Sequence, residues 1–577
     1  MANKQLIYNN NMQMIRKIII PVLLALFFWS CKKKENVNPH PIPMADTSFG
    51  KPNSEHYSVL TQHNDNTRAG FDNQESVLTT ANVNSSSFGT LFTLPVDDQV
   101  YAQPLVYGNL NIASGTHNTV FIATTNNTVY AYDGTNGTLF WKKNFTESGM
   151  RVPIPSDMNS SWCSPYPNFT TEIGIVGTPV IDSASKTMYF VARSTTGGQF
   201  FQYLHAINVI DGSEKAGSPV QITASVAGTG DGNFNGTVSF DPQRNNQRQG
   251  LLLINGIVYI SWSSHCDWNP YHGWIIGYDA RSLAQQIVYC DTPNGEAGGL
   301  WESGMGIAAD ASGNLYVTSG NGTVGDDPFL ASANGTNPGS TNPNPNDLTN
   351  RGESAIKLTP NGSTLKVTSF FTPTNYYNMD NNDLDYGVMG TFLLPGTNDY
   401  LTGCKDGNLY LLNKDDMGGF STTDNLVLQT IPLNVTLHCQ PAFYSGGGNT
   451  YMYIWSENDQ LRAFLFSGGL FATNPIVSKD DGPGGDSGAV LSVSSNGAAG
   501  GTGILWTSYA ITGDAGSYTC PGILRAFDAS DITNELWNSR QESASSGNYA
   551  KFCPPTIANG HVYLATFSGL VVVYGLK

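Results

Sequence analysis

One short phrase recurs along this chain and limits what it can fold into: an alternating apolar strand, commonly with an aromatic residue, that runs into a polar or glycine-bearing turn. Its copies are VYAYDGTNG from Val129, LHAINVIDG from Leu204, IIGYDARS from Ile275, AIKLTPNG from Ala355, LYLLNKDD from Leu409, LRAFLFSGG from Leu461, LRAFDASD from Leu524 and VVVYGLK from Val571. Most copies follow another strand of period two, such as NTVFIATTNN before the first and HVYLATFSG before the last. Several units open on a proline-bearing strand (QPLVYG, TPVIDS, QPAFYS, PPTIANG), and an outer strand is clearest in TLFWKKNF, residues 138–145. A four-stranded unit cannot bury both faces of its sheet alone, so eight units in series must stack around an axis. The expected fold is all-β: an eight-bladed β-propeller of four-stranded antiparallel blades spanning residues 61–577.

The last unit, PPTIANGHVYLATFSGLVVVYGLK, ends after three strands. FGTLFTLPV, residues 88–96, is a lone strand ahead of the first unit, where the outer strand of a preceding unit would lie. It is therefore expected to complete the last blade, closing the ring without a covalent link and leaving no open sheet edge. Insertions fall mainly in the first half; the largest, Gly320–Gly352, is too polar and proline-rich to carry a core of its own.

Ahead of the propeller, Arg16 and Lys17 precede an apolar run that ends at Ser30–Cys31. The run is short for a membrane span, and a small residue directly before a cysteine is the pattern of lipoprotein processing. Residues 1–31 are thus expected to be a signal peptide ending at Cys31, the lipid-bearing residue, with 32–60 a flexible tether and the domain held on a membrane of the cell envelope. The formal charge of −17, from 45 acidic against 28 basic residues, excludes nucleic acid as a partner. Seven further cysteines (163, 266, 290, 404, 439, 520 and 553) lie in a compartment that permits disulfides; the odd number leaves at least one unpaired, and no CxxC spacing points to zinc.

From about residue 61 onward the order of elements resembles the pyrroloquinoline quinone (PQQ) type of eight-bladed propeller, found in quinoprotein alcohol dehydrogenases and PQQ-like repeat proteins of bacterial envelopes. The stretches that carry the resemblance are NDNTRAGFDNQESVLTTANVNSSSFGTLFTLPV, VYAYDGTNGTLFWKKNF, GNLYVTSGNG and KDGNLYLLNKDD. It implies Asp385, in NDLDYGVMG, as a catalytic base with Asp383 beside it. It implies Asn321, in TSGNG, and Asp267, in SSHCDWNPYHGW, as calcium ligands. Trp301, in GGLWESGMG, would stack beneath the quinone, and Cys163, in SSWCSPYPN, stands where the family carries two adjacent cysteines. In such enzymes calcium polarises the quinone carbonyl while the aspartate takes the alcohol proton and hydride moves to the quinone.

The chain departs from that pattern in two places. No adjacent cysteine pair exists, and no CxxCH is present to attach a c-type haem. The acidic run Asp380–Asp385 lacks the glycine-marked spacing of an EF-hand, and His265, Cys266, Asp267 and His272 read as an ordered loop rather than a metal site. An intact propeller beside an incomplete cofactor site leads to the expectation of a lipid-anchored envelope binding or assembly module without redox turnover, with a protein, glycan or small molecule as partner. Two alternatives remain: a PQQ- and calcium-dependent dehydrogenase of an alcohol or sugar, and a carbohydrate- or peptide-binding surface protein.

Overall fold

In the computed structural model, described for residues 57–158, 166, 168–326, 344–479, 482–542 and 546–577, every copy of the repeated phrase is the third strand of an antiparallel blade. Blade 1 runs Leu105–Ile112, Gly115–Ala123, Thr128–Asp133 and Leu139–Asn144 from the axis outward. Its third strand is buried at all six positions, because both faces are covered by neighbouring blades, whereas the outer strand faces solvent along most of its length. This explains why the repeated phrase reads as a near-continuous apolar run while the outer strands are polar.

The core is divided into the interfaces between blades. Phe121 and Val129 of blade 1 pack on Met188 and Phe190 of blade 2, Trp506 and Leu524 of blade 7 pack on Val562 and Val572 of blade 8, and Tyr563 and Val571 of blade 8 pack back on Val120 and Tyr130 of blade 1. The ring is therefore closed by a contact of the same kind as those that build it.

Closure follows the sequence expectation. Strand Phe88–Pro95 pairs antiparallel with Leu570–Leu576, with Phe88 opposite Leu576, Pro95 opposite Leu570 and a bulge between Thr90 and Phe92. Phe88 is fully buried, its ring 5.0 Å from that of Trp537 and 5.4 Å from that of Trp506.

The residues before that strand do more than the sequence suggests. Inner strands converging on an axis leave a row of unpaired backbone groups, and the segment 57–75 supplies partners around the whole ring. Val59 exchanges two backbone hydrogen bonds with Val106 of blade 1, and the Leu60 carbonyl accepts from Ile181 of blade 2. The Asn66 side chain donates to Leu253 of blade 3, and the carbonyls of Asn66, Thr67, Ala69 and Gly70 accept from Ala309, Leu393, Phe443 and Val493 of blades 4, 5, 6 and 7. Glu75 accepts from Gly560 of blade 8. Arg68, fully buried, donates to Ile307 and Leu251 and to Thr61 and Gln62 of its own segment. Tyr57–Leu60, assigned to the tether from sequence, are part of this hub.

No helix among the described residues is long and apolar enough to cross a membrane. The segment expected to be a signal peptide, Cys31 and most of the expected tether lie outside the described residues, as do 327–343 of the long insertion in blade 4.

Candidate functional site at the mouth of the axis

In an antiparallel four-stranded blade, the loop from second to third strand and the connection to the next blade emerge at the same end. The residues singled out from sequence all belong to such segments. Asp267 lies in the second-to-third-strand loop of blade 3, Trp301 between blades 3 and 4, Asn321 in the corresponding loop of blade 4, and Asp383 and Asp385 between blades 4 and 5.

The fold gathers them. The Asn321 backbone amide donates to Asp385 Oδ1 at 2.9 Å, and its side-chain amide donates to Asp383 Oδ1 at 3.0 Å. Tyr271 donates its hydroxyl to Asp267 Oδ1 at 2.8 Å and meets the Trp301 ring edge-on, centroids 6.4 Å apart. Gly320 is where Asp385 and Trp301 meet: a Cβ there would fall 2.4 Å from Asp385 Oδ1 and 2.7 Å from Trp301 Cδ1. Cys163 lies outside the described residues; Cys266, beside Asp267, is disulfide-bonded.

Lys405, from the second-to-third-strand loop of blade 5, determines the charge of this cluster. Its ammonium is 2.5 Å from Asp385 Oδ2 and 3.3 Å from Asp383 Oδ2. Burial opposes ionisation of Asp385, but the Lys405 charge and hydrogen bond, with the Asn321 amide, hold its carboxyl below the usual range. The neighbouring acids shift the other way. Burial and the nearby Asp385 charge push Asp267 up to about 7, raise Asp383, and raise Glu353 well above its ordinary value. The result is one carboxylate held ionised by its ammonium, among neighbouring acids whose ionisation it opposes.

The two parts of a calcium–quinone centre fit these residues differently. Asn321 Oδ1 is shielded from solvent without a hydrogen-bond partner, and with an Asp267 oxygen it offers the acceptor-only ligands that calcium takes. The quinone does not fit. The Arg248 guanidinium lies 5.3 Å from the Trp301 ring centre and 4.8 Å from that of Phe552, within cation–π range of both rings. Arg248 Nε also donates to the Trp301 carbonyl at 3.0 Å, fixing the arrangement. Arg248 thus competes for the Trp301 ring on which a planar cofactor would stack. The cavity beside it, lined by Tyr101, Tyr166, Arg248, Lys551 and Phe552, is about 40 Å³, room for a few waters.

Sequence reasoning missed Lys405, Arg248, Lys551 and Phe552. Lys405 has a signal: in KDGNLYLLNKDD it precedes the third strand of blade 5 much as Asn321 of TSGNG follows the second strand of blade 4, so superimposing the repeats finds it. Arg248, in NNQRQG, and Lys551 have none, because neither sits in a repeated phrase.

No protein-family model and no curated protein matches the chain. Among solved structures, the quinohaemoprotein alcohol dehydrogenase ADHIIG of Pseudomonas putida HK5 is similar with a TM-score of 0.53 and 12% identity, over 90% of this chain and 80% of that one. The quinohaemoprotein alcohol dehydrogenase of Comamonas testosteroni gives a TM-score of 0.53 and 13% identity, over 92% and 82%. At such identities the likeness concerns the fold alone, and with the eight antiparallel blades it shows this chain to be an eight-bladed β-propeller.

Proposed function

We propose that the protein is a lipid-anchored propeller of the cell envelope that binds a ligand at the mouth of its axis, without quinone-dependent turnover. The observation that supports this most is the contact of Arg248 with both Trp301 and Phe552, which sets a guanidinium against the ring that the dehydrogenase reading needs for its cofactor. The ligand chemistry follows from the cavity lining. Arg248 and Lys551 carry no ion pair among the described residues, Lys551 is only 8% exposed, and burial pushes its ammonium down to about 8. Two poorly solvated cations beside the phenols of Tyr101 and Tyr166 favour a small anionic group, a carboxylate above all. Calorimetric titration of the purified protein with short-chain mono- and dicarboxylates tests this. Binding that Lys551→Met abolishes supports it, and no saturable binding by any of them overturns it. Anchoring is tested separately: Cys31→Ala should release the protein from membranes and remove labelling by a fatty-acid probe.

A second reading has its own support, the convergence of Asp385, Asn321, Asp267 and Trp301. In a PQQ dehydrogenase, Asn321 and Asp267 would hold calcium, which supplies Lewis-acid polarisation when bound, and Asp385 would accept the proton of an alcohol or sugar. That role requires Lys405 to release Asp385 and Arg248 to leave Trp301. Dye reduction with PQQ, calcium and a panel of alcohols and aldoses, abolished by Asp385→Asn, would establish it.

A further inference from the structure

A second cluster of ligand atoms lies at the same end of the propeller, on loops that the calcium–quinone pattern does not use. His438 comes from the connection between blades 5 and 6, Glu457 from the second-to-third-strand loop of blade 6, and Asp486 from the connection between blades 6 and 7. One ligand atom from each lies within 4.8 Å of the other two. His438 Nδ1 contacts Glu457 Oε1 and stands 3.4 Å from Asp486 Oδ1.

We infer that His438, Glu457 and Asp486 form a site for a four-coordinate divalent cation of the zinc type. Bonds of about 2.0–2.2 Å in a tetrahedron put neighbouring ligand atoms about 3.3–3.6 Å apart, which the His438–Asp486 distance already meets. A proton on Nδ1 serves the two carboxylates unequally: Asp486 Oδ1 is shielded from solvent and accepts no hydrogen bond, while Glu457 holds the close contact. A cation in place of that proton satisfies both. One imidazole and two carboxylates suit zinc and its first-row neighbours, whereas calcium takes six to eight oxygens. The three side chains are 18%, 12% and 32% exposed, so a fourth position remains open to water, as in zinc sites that bind or activate a ligand.

The surrounding backbone holds the ligands in place. Cys439 Sγ and Ser456 Oγ, 3.6 Å apart, link the residues next to His438 and Glu457, and the Asp486 carbonyl accepts from the Gly516 amide at 3.1 Å. Each ligand is thus fixed from its own loop before a metal arrives, which lowers the ordering cost of binding.

The test is calorimetry of the full-length, chelator-stripped protein with zinc chloride, paired with the visible spectrum of the Co²⁺ form. The expected result is one equivalent bound, a four-coordinate Co²⁺ spectrum, and at least about 100-fold weaker binding for both His438→Gln and Asp486→Asn, beyond what loss of a supporting residue brings. Asp531→Asn, on the outer strand of blade 7, should bind as the parent does. Circular dichroism confirms folding of each variant; if His438→Gln does not fold, the near-isosteric Glu457→Gln takes its place. Absence of saturable zinc binding, or binding unchanged in the ligand variants, overturns the site.

Discussion

Lys405 Nζ lies 2.5 Å from Asp385 Oδ2, making an ion pair of the carboxylate that the family resemblance marks as a base. Both side chains are largely buried, at 16% and 4% exposure. Breaking one partner of such a pair leaves a charge without compensation, at a cost of about 3–5 kcal/mol. Lys405→Met should destabilise the protein by about that amount in urea unfolding, and adding Asp385→Asn should restore most of the loss. Equal stabilities for the single and double variants would show that the two charges are not coupled.

Closure of the ring rests on Phe88, whose ring fills a pocket of Trp506, Trp537 and Tyr574 between the last two blades. Phe88→Ala should cost about 3–5 kcal/mol. Because the strand joins blade 8 to the rest, the loss should shift a single cooperative transition. A separate, early transition for blade 8 would contradict the closure.

Arg68 ties the hub to blades 3 and 4 through carbonyl oxygens alone, with no carboxylate in its hydrogen bonds. Its planar fork is what places donors on Ile307, Leu251, Thr61 and Gln62 together, and a lysine has one point charge in its place. Arg68→Lys should therefore destabilise nearly as much as Arg68→Met, each by about 3 kcal/mol or more in chemical denaturation, because a buried carbonyl left without its donor costs about 1–3 kcal/mol. Rescue by lysine would mean that charge, not geometry, holds the hub.

Asp267 gives a pH dependence of defined sign. Its folded-state value, near 7, lies above the ordinary value of 3.8, so the native state binds a proton that the unfolded chain has lost. Its contribution to stability therefore declines as pH rises from about 4 to about 7 and is level above that. Asp267→Asn should gain on the parent protein across this window, by on the order of 2–4 kcal/mol at pH 8 relative to pH 4. Parallel stability curves for the two would refute the assignment.

The propeller was legible because its evidence is local. A two-residue period and a turn within nine residues define each third strand, and the missing fourth strand of the last unit pointed to Phe88–Pro95. The hub was not legible, since the partners of Arg68 lie 183 and 239 residues downstream and are main-chain atoms without a residue signature. Asp385, Asn321, Asp267 and Trp301 were found through the resemblance, and the fold brings them together. Their electrostatics depend on Lys405 and their packing on Arg248, whose arrival from other blades no motif announces. His438, Glu457 and Asp486 escaped for the same reason: each loop contributes a single ligand, so no spacing pattern exists to read.

The most direct test of a propeller without quinone turnover is equilibrium titration of the purified protein with PQQ in the presence of calcium, followed by quenching of tryptophan fluorescence. With Arg248 held against Trp301 and Phe552, the parent protein should show no saturable quenching and no dye reduction with any alcohol or aldose. Stoichiometric quenching accompanied by turnover that Asp385→Asn abolishes would contradict the account and establish a dehydrogenase.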